Sequence, residues 1–459
     1  MSKKLPNVLI MMADDHRSQA IAAHGDLTVK TPNMDRLIRE GATFTRNWHT
    51  GSYCPAVCIP TRAALHTGTN VYQASLHNNY RCRYHPNIGA INPDRVTLGQ
   101  TFRQQGYHTH FIGKWHNDKT SFNRSFCDGA QIFFNGMCDH YTVPAYDYDP
   151  TGTYDPSTAH ITPKHSTERF TDAALDFLNL YDADKPFYLN VAFTSPHDPR
   201  QSPQAYQDMY PVSEIPLPKN FQQHPFDQGH NRIRDEELAS FPRDQAEIRQ
   251  HLSDYYAIIS HQDHHMGLIL DALEKRGELE NTIIVYTADH GLAVGQHGLM
   301  GKQNMYEHSL RVPLIIRGPG IPQGLQTQAL TQTPDLYPTL IDLLGLQCPE
   351  TVTANSLVPV MQGKPSSRSH QFSLYFDMQR SVCDGRYKLI RYYTQTNTEI
   401  DESQGCDKIQ LFDLQTDPLE ICDLSKQPQN KPILTSLAKA LQTQMDQYDD
   451  ALKDVPILI

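Results

Sequence analysis

The sequence predicts an α/β fold in which a large, mainly parallel sheet is flanked by helices and is followed by a smaller C-terminal α+β domain. Two observations support this prediction. Short apolar runs, such as residues 7–12, 186–193 and 281–287, alternate with helical patterns over most of the chain, which is typical of a parallel sheet. Closely spaced strand-like runs follow residue 365, and they predict an antiparallel meander. We therefore assign residues 1–365 to the first domain and residues 366–459 to the second.

Local signals predict the elements of each domain. Apolar residues at helical spacing, in several cases after a threonine or proline start, predict helices at residues 31–37, 61–66, 97–105, 167–180, 246–275, 333–340 and 431–452. β-Branched and apolar runs predict strands at residues 7–12, 41–48, 107–112, 186–193, 281–287, 312–317, 371–376, 380–383 and 387–393. Residues 117–165 show little periodicity, which predicts a long loop over the functional edge of the sheet. Residues 198–246 form a second irregular insertion.

Charged and polar residues follow the predicted strands at the points where the strands end. They are Asp14 and Asp15 after the first strand, then Lys114 and His116, His197, and finally Asp289 and His290. In open α/β sheets, ligands bind outside the carboxyl ends of the strands. Adjacent carboxylates repel one another, and a hard cation such as Ca²⁺ or Mg²⁺ relieves that repulsion. Solvated loop residues are the alternative for each group taken alone. We interpret His261, His264 and His265 as packing residues of a long helix.

The segment Cys58-Ile59-Pro60-Thr61-Arg62 carries a candidate nucleophile, and we expect the parallel sheet to collect the post-strand residues on one edge beside Cys58. Pro60 suits the first position of a helix, so we expect Cys58 just before a helix over residues 61–66. Backbone N–H groups at a helix start favour an anionic nucleophile or a bound oxyanion. A small buried thiol fits the segment alone equally well.

Composition limits the partners of this 459-residue chain. A net charge of -11 disfavours nucleic acid or an anionic membrane surface as the main partner. Nine cysteines without C-x2-C pairs indicate neither a zinc framework nor a disulfide scaffold. The N-terminal residues match no signal peptide, and no run is long enough to span a bilayer. We therefore expect a cytoplasmic protein, or a periplasmic one if a leader was removed.

Several motifs, in their order along the chain, resemble those of the sulfatase family. Cys58-x-Pro60-x-Arg62 resembles the sulfatase signature. The other matching motifs are Gly113-Lys114-Trp115-His116, Ser195-Pro196-His197, Thr287-Ala288-Asp289-His290-Gly291 and Gly301-Lys302. The resemblance spans about residues 5–345 and implies an alkaline-phosphatase-like fold. One departure is Thr61, where serine is commoner in the family.

The resemblance implies a role for each motif residue. Cys58 would be oxidised to formylglycine, whose hydrated aldehyde supplies the nucleophile, and this step requires a formylglycine-generating maturation enzyme as a partner. The implied catalytic residues are Cys58, Arg62, Lys114, His116, His197 and Lys302. The implied metal ligands are Asp14, Asp15, Cys58, Asp289 and His290, with Ca²⁺ preferred over Mg²⁺.

The expected reaction is hydrolysis of a sulfate ester on a carbohydrate, with exo action on a mono- or oligosaccharide. A polar loop offers candidate sugar contacts at His77, Asn78, Arg81, Arg83 and His85, although a surface loop with incidental charge is the alternative. A phosphonate or phosphate diester hydrolase of the same superfamily is the second hypothesis. The third is a non-catalytic glycan-binding pseudo-sulfatase, which applies if Cys58 stays a thiol. The sequence leaves open whether the chain forms a homo-oligomer.

Overall fold

The structure is a computed structural model that describes residues 5–76, 89–229, 233–394 and 405–457. Its strands, numbered in chain order, are β1 (Asn7–Ala13), β2 (Ala42–Phe44), β3 (Asn47–Trp48), β4 (Gly51–Ser52), β5 (His108–Lys114), β6 (Asp128–Phe133), β7 (Phe187–Ala192), β8 (Thr282–Ala288), β9 (Leu314–Arg317), β10 (Leu325–Thr327), β11 (Thr331–Gln332), β12 (Gln371–Tyr375), β13 (Gln379–Cys383), β14 (Tyr387–Thr394) and β15 (Gly405–Asp413). Its α-helices are α1 (Pro32–Glu40), α2 (Cys58–Thr67), α3 (Val71–Ala74), α4 (Leu98–Gln104), α5 (Lys119–Ser125), α6 (Ser166–Leu180), α7 (Gln204–Gln207), α8 (Gln245–Lys275), α9 (Glu307–Leu310), α10 (Leu336–Leu343), α11 (Val358–Met361) and α12 (Lys431–Gln447). Among the described residues, no helix combines the length and the apolar character needed to cross a bilayer.

The main sheet has eight strands in the order β10-β2-β9-β8-β1-β7-β5-β6. Strands β8, β1, β7, β5 and β6 are parallel to one another, whereas β9 is antiparallel to both β8 and β2. Alternate residues of β1 pack into two different apolar clusters, because successive side chains of a strand point to opposite faces. Val8 faces the cluster that contains α2, α4 and α10, while Leu9 faces the cluster that contains α1, α6 and α8. The predicted α/β fold, with a mainly parallel sheet flanked by helices, is confirmed.

A second sheet of five strands has the order β15-β14-β13-β12-β4. Strands β12 to β15 form an antiparallel meander, as the sequence predicts, although the prediction omitted β15. The fifth strand, β4, comes from residues 51–52 and pairs parallel to β12. The predicted second domain is therefore completed by a strand from the first, and the boundary at residue 365 stays a prediction.

Two segments of the first domain differ from their predicted secondary structure. The strand predicted at residues 41–48 is divided at Thr45 and Arg46 into β2 and β3, which belong to different sheets. Residues 117–165 are not a loop throughout, since they contain α5 and the edge strand β6. The side chain of Asp118 caps α5 by accepting a hydrogen bond from Ser121 N at 2.7 Å. Strand β6 has a register shift, with Gln131 at φ +53°, and this irregularity removes the alternation by which a strand is seen in a sequence.

Candidate active site

Four adjacent parallel strands of the main sheet end side by side, and the polar residues that follow them form one buried cluster. Asp14 and Asp15 follow β1, Asp289 and His290 follow β8, and His197 lies in the turn after β7. The sequence predicted Lys114 just beyond the strand, but Lys114 is the last residue of β5. All of these residues are at most 5% exposed. The strand order therefore brings together residues that lie up to 276 positions apart, from Asp14 to His290.

The acidic members of this cluster could hold a metal ion. Ligand atoms of Asp14, Cys58, Asp289 and His290 all lie within 4.8 Å of one another. Asp14 Oδ1, Asp15 Oδ2 and His290 Nε2 are buried and have no hydrogen-bond partner within the part of the chain that is described. Buried polar atoms without partners are costly, and carboxylate oxygens are the ligands that hard divalent cations prefer. The residues present therefore fit a hard divalent cation.

Lys302 supplies positive charge on one side of the cluster. Its Nζ lies 2.8 Å from Asp15 Oδ1 and 3.0 Å from His197 Nε2. His197 Nδ1 lies 2.7 Å from the carbonyl oxygen of Asp198, so its N–H donates there and Nε2 accepts from the ammonium group. Burial alone would lower the pKa of Lys302, but Asp15 and Asp235 raise it well above its usual value. Lys302 therefore carries a proton next to the carboxylates.

Cys58 lies beside the same charges at the start of α2. The helix begins at Cys58 itself, so the prediction that Cys58 precedes the helix is wrong. Pro60 is the third residue of the helix. A proline is tolerated there because the N–H groups of the first turn have no intrahelical partner. Cys58 is 3% exposed. Burial would raise the pKa of its thiol, but Lys114 and Lys302 hold that pKa well below its usual value. The position therefore favours a negative charge on the atom attached to residue 58.

Arg62 connects α2 to three strands of the main sheet. Its Nε donates to Asp289 Oδ2 at 2.9 Å, and its Nη1 donates to the carbonyl oxygen of Lys114 at 2.6 Å. Its Nη2 lies 3.9 Å from Asp14 Oδ2, and the Lys114 ammonium group also contacts that oxygen. The Arg62 side chain is 1% exposed. One buried guanidinium thus ties the helix that begins at Cys58 to the carboxyl ends of β8, β5 and β1.

His116 depends on a glycine that the sequence analysis did not single out. His116 is the second residue after β5 and has φ +58°. A Cβ atom added at Gly136 would lie 2.7 Å from both Cε1 and Nε2 of the His116 ring. The ring therefore occupies the space that any side chain at position 136 would need. Gly136 belongs to a segment without a periodic pattern, so no sequence signal pointed to it.

Other residues that the sequence analysis missed contact members of the cluster or the residues next to them. The Tyr255 hydroxyl, from α8, donates to the carbonyl oxygen of Asp15 at 2.7 Å. Asp235 Oδ2 lies 3.9 Å from Lys302 Nζ. Arg234 Nη2 donates to both carboxylate oxygens of Asp198 at 3.0 and 3.1 Å. Asp198 adjoins His197 and could have been suspected from that position, whereas Arg234 and Asp235 lie in an irregular insertion.

The predicted sugar contacts His77, Asn78, Arg81, Arg83 and His85 lie outside the described residues. Their roles stay predictions. The described chain includes all the other site residues predicted from the sequence. They are Asp14, Asp15, Cys58, Arg62, Lys114, His116, His197, Asp289, His290 and Lys302.

The mainly parallel sheet, with a buried, acid-rich cluster at its carboxyl edge, is an alkaline-phosphatase-like fold. A family model described as sulfatase matches residues 6–346, and a model for the C-terminal region of N-sulphoglucosamine sulphohydrolase matches residues 295–447. The chain belongs to the sulfatase family and is a sulfuric ester hydrolase. The family resemblance predicted from the motifs is thereby confirmed.

Relatives of known name span nearly the whole chain. An N-acetylglucosamine-6-O-sulfatase of Bacteroides thetaiotaomicron is 27% identical, and the match covers 97% of this chain and 87% of the relative. An arylsulfatase of Clostridium perfringens is also 27% identical, with 98% and 96% covered. A solved structure described as a complex with its substrate D-glucosamine-2-N,6-O-disulfate is 24% identical, with a TM-score of 0.80 over 99% of this chain and 100% of that one. That likeness shows the shared fold.

Proposed function

We propose that the protein removes sulfate from a sulfated carbohydrate, by exo action on a mono- or oligosaccharide. The observation that carries this proposal is the position of Cys58, which is buried beside Lys114 and Lys302 and one helical turn from Arg62. A sulfate group that reached this position would lie beside the positive charges of Lys114 and Lys302 and beside the carboxylates that could hold a divalent cation. Preorganised charge at the transferring group is the largest contribution to catalysis in most enzymes.

In the proposed mechanism, Asp14, Asp15, Asp289 and His290 would hold Ca²⁺, which would supply positive charge for the sulfate oxygens. Residue 58, once converted to formylglycine, would supply a hydroxyl nucleophile. Arg62 orients the group at position 58 through its fixed bonds to Asp289 and to the Lys114 carbonyl oxygen.

The basic residues bind the sulfate and move the proton that the leaving alcohol needs. Lys114 and His116 face position 58 from the end of β5 and bind sulfate oxygens. Lys302 holds a proton at Nζ, 3.0 Å from His197 Nε2. This pair delivers a proton to the oxygen of the departing sugar hydroxyl, which would otherwise leave as an unstable alkoxide. Lys114, His197 and Lys302 are at most 5% exposed, which limits the access of bulk water to the reacting atoms.

The names of the relatives support a sugar as the substrate. The Bacteroides relative acts on an N-acetylglucosamine 6-O-sulfate, as its name states, and the solved structure holds a disulfated glucosamine. Structures described as phosphonate monoester hydrolases share the fold with TM-scores of 0.71 and 0.74. A phosphonate monoester is therefore the alternative substrate that the test includes.

The test combines the mass of the peptide around residue 58 with product release. The protein is produced in a host that has the maturation enzyme, and it is given glucosamine sulfates, an aryl sulfate and a phosphonate monoester. We expect the mass loss of thiol-to-aldehyde conversion at Cys58 and faster release of sulfate from the sugars than from the aryl ester. An unmodified thiol without sulfate release would favour the glycan-binding alternative, and faster phosphonate cleavage would favour the other hydrolase.

Cys54 provides the matched control. It is also buried, lies four residues before Cys58, and its pKa is raised to about 12 by burial. Cys54→Ala should keep sulfate release within about twofold, whereas Cys58→Ala should abolish it. Equal losses in the two variants would point to a packing defect and would contradict the proposed nucleophile.

A further inference from the structure

A second cluster of potential metal ligands lies between α6 and α8, outside the candidate active site. His261 and His265 are one helical turn apart on α8, and therefore on the same face of that helix. Glu168 faces them from α6, with its Oε1 3.6 Å from His261 Nε2. One ligand atom from each of the three residues lies within 4.8 Å of the others.

The two imidazole rings have nitrogen atoms whose hydrogen-bonding capacity is unused. His261 is 0% exposed, and neither of its ring nitrogens has a hydrogen-bond partner in the described ranges of the chain. His265 Nδ1 is also buried without a partner there. Buried polar atoms are nearly always satisfied in folded proteins, so unpartnered ring nitrogens this close to the Glu168 carboxylate point to an additional group between them.

Protonation does not supply that group, because both rings favour the neutral form. Burial, with the neighbouring histidines adding to it, lowers the pKa of His261 to about 2. Burial likewise lowers the pKa of His265 to about 4. Neutral imidazoles are the form in which histidine binds a metal ion. Glu168 is 27% exposed at its side chain, which leaves an open side for an ion and a water molecule.

We propose that Glu168, His261 and His265 form a second metal site, for Zn²⁺ or a similar transition-metal ion. Two imidazoles and one carboxylate are a frequent zinc ligand set, whereas hard cations prefer oxygen ligands alone. Bonds of about 2.0–2.1 Å in tetrahedral geometry place ligand atoms roughly 3.4 Å apart. The 3.6 Å between Glu168 and His261 is close to that spacing.

The position of this site gives it a structural role beside the active site. The ring of His261 lies 4.6 Å from that of His165, which stacks on His140 at 4.9 Å with an interplanar angle of 7°. His140 Nε2 lies 3.0 Å from the carbonyl oxygen of His197. A bound ion would fix α6 to α8 next to the residues that hold the His197 turn in place.

The experiment measures zinc binding and does not depend on the proposed function. Metal-free protein is first saturated with calcium and is then titrated with Zn²⁺ alone in a calorimeter, with the bound zinc counted by elemental analysis. We expect a zinc site with a stoichiometry of one that is weakened at least tenfold in Glu168→Gln and His265→Gln. Both side chains are partly exposed, so these variants should fold.

His264→Gln and Asp128→Asn are the matched controls. His264 is exposed and adjacent to His265 on the same helix, while Asp128 belongs to another histidine cluster with His108 and His110. Both controls should keep the wild-type zinc affinity, and zinc should raise the melting temperature of these variants but not that of Glu168→Gln. Unchanged affinity in Glu168→Gln and His265→Gln, or equal losses in a control, would overturn the proposal.

Discussion

Replacement of Arg62 by alanine should destabilise the protein far more than replacement of a comparable exposed arginine. Arg62 contacts the carboxylate of Asp289 at 2.9 Å and lies 3.9 Å from that of Asp14. Arg36 also contacts two carboxylates, at 2.9 and 3.3 Å, but its side chain is 26% exposed. The pair of variants therefore compares the same number of partners at different burial.

The magnitude follows from the charge that each substitution leaves behind. Loss of one partner of a buried ion pair costs about 3–5 kcal/mol because the remaining charge stays buried. Exposed pairs contribute about 0–1 kcal/mol. We therefore expect the free energy of unfolding to fall by roughly 3–5 kcal/mol in Arg62→Ala and by about 1 kcal/mol or less in Arg36→Ala. Arg62→Lys should lie between, because one ammonium group replaces a fork of donors.

Urea unfolding followed by tryptophan fluorescence measures these differences. The two tryptophans of the chain, Trp48 and Trp115, are both buried, so their emission reports the loss of the core. EDTA in the buffer prevents a divalent cation from compensating the unpaired carboxylates. If Arg62→Ala and Arg36→Ala differed by less than about 1 kcal/mol, the cluster would not be desolvated as its burial indicates, and the reasoning would be refuted.

Three further predictions concern the metal, pH and backbone. Asp14→Asn should weaken calcium binding by at least about tenfold in calorimetry, because ligand charge sets the affinity for hard cations; unchanged affinity would remove Asp14 from the ligand set. Asp128 raises the pKa of His108 from 6.5 to about 9. The stabilisation of the folded protein by the His108–Asp128 pair is therefore complete below pH 6.5 and is lost as the pH rises through about 9. The difference in melting temperature between wild type and Asp128→Asn should shrink over that window, and a difference that grows with pH would contradict this assignment. Gly113 (φ +95°) and Gly106 (φ +87°) both have a backbone conformation that costs alanine about 1–2 kcal/mol. A Cβ atom at Gly113 would in addition lie 2.0 Å from a carbonyl oxygen of β7, whereas a Cβ atom at Gly106 would have no atom within 4 Å. Gly113→Ala should therefore give much less folded protein than Gly106→Ala in soluble yield and thermal unfolding, and equal yields would show that β5 and β7 can separate.

The parts of the site that could be predicted lie where a continuous apolar run ends in a charged residue. β1 ends before Asp14 and β8 ends before Asp289, and both strands read as buried runs in the sequence. Strand order was not needed to predict the cluster, because parallel strands present their carboxyl ends at one edge. The motif around Cys58 then indicated that this edge of the sheet carries the active site.

The parts that could not be predicted depend on contacts between distant segments. Asp235 approaches Lys302 from an insertion without periodicity, so nothing local distinguishes it from a solvated acid. His261 and His265 occupy packing positions of a long helix, and only the structure shows Glu168 opposite them. Gly136 is required by the His116 ring and not by its own backbone. Each case is decided by tertiary packing, which sequence periodicity does not encode.

The pairing of β4 with β12 has a consequence for the order of synthesis. Residue 51 leaves the ribosome roughly 320 residues before its partner, residue 374, which corresponds to about 16–64 s at about 5–20 residues per second. During that interval the second sheet cannot close over the segment that leads from β4 to Cys58. Cys58 is 3% exposed once the chain has folded. An enzyme that modifies this side chain would therefore have its best access before β12 has been made.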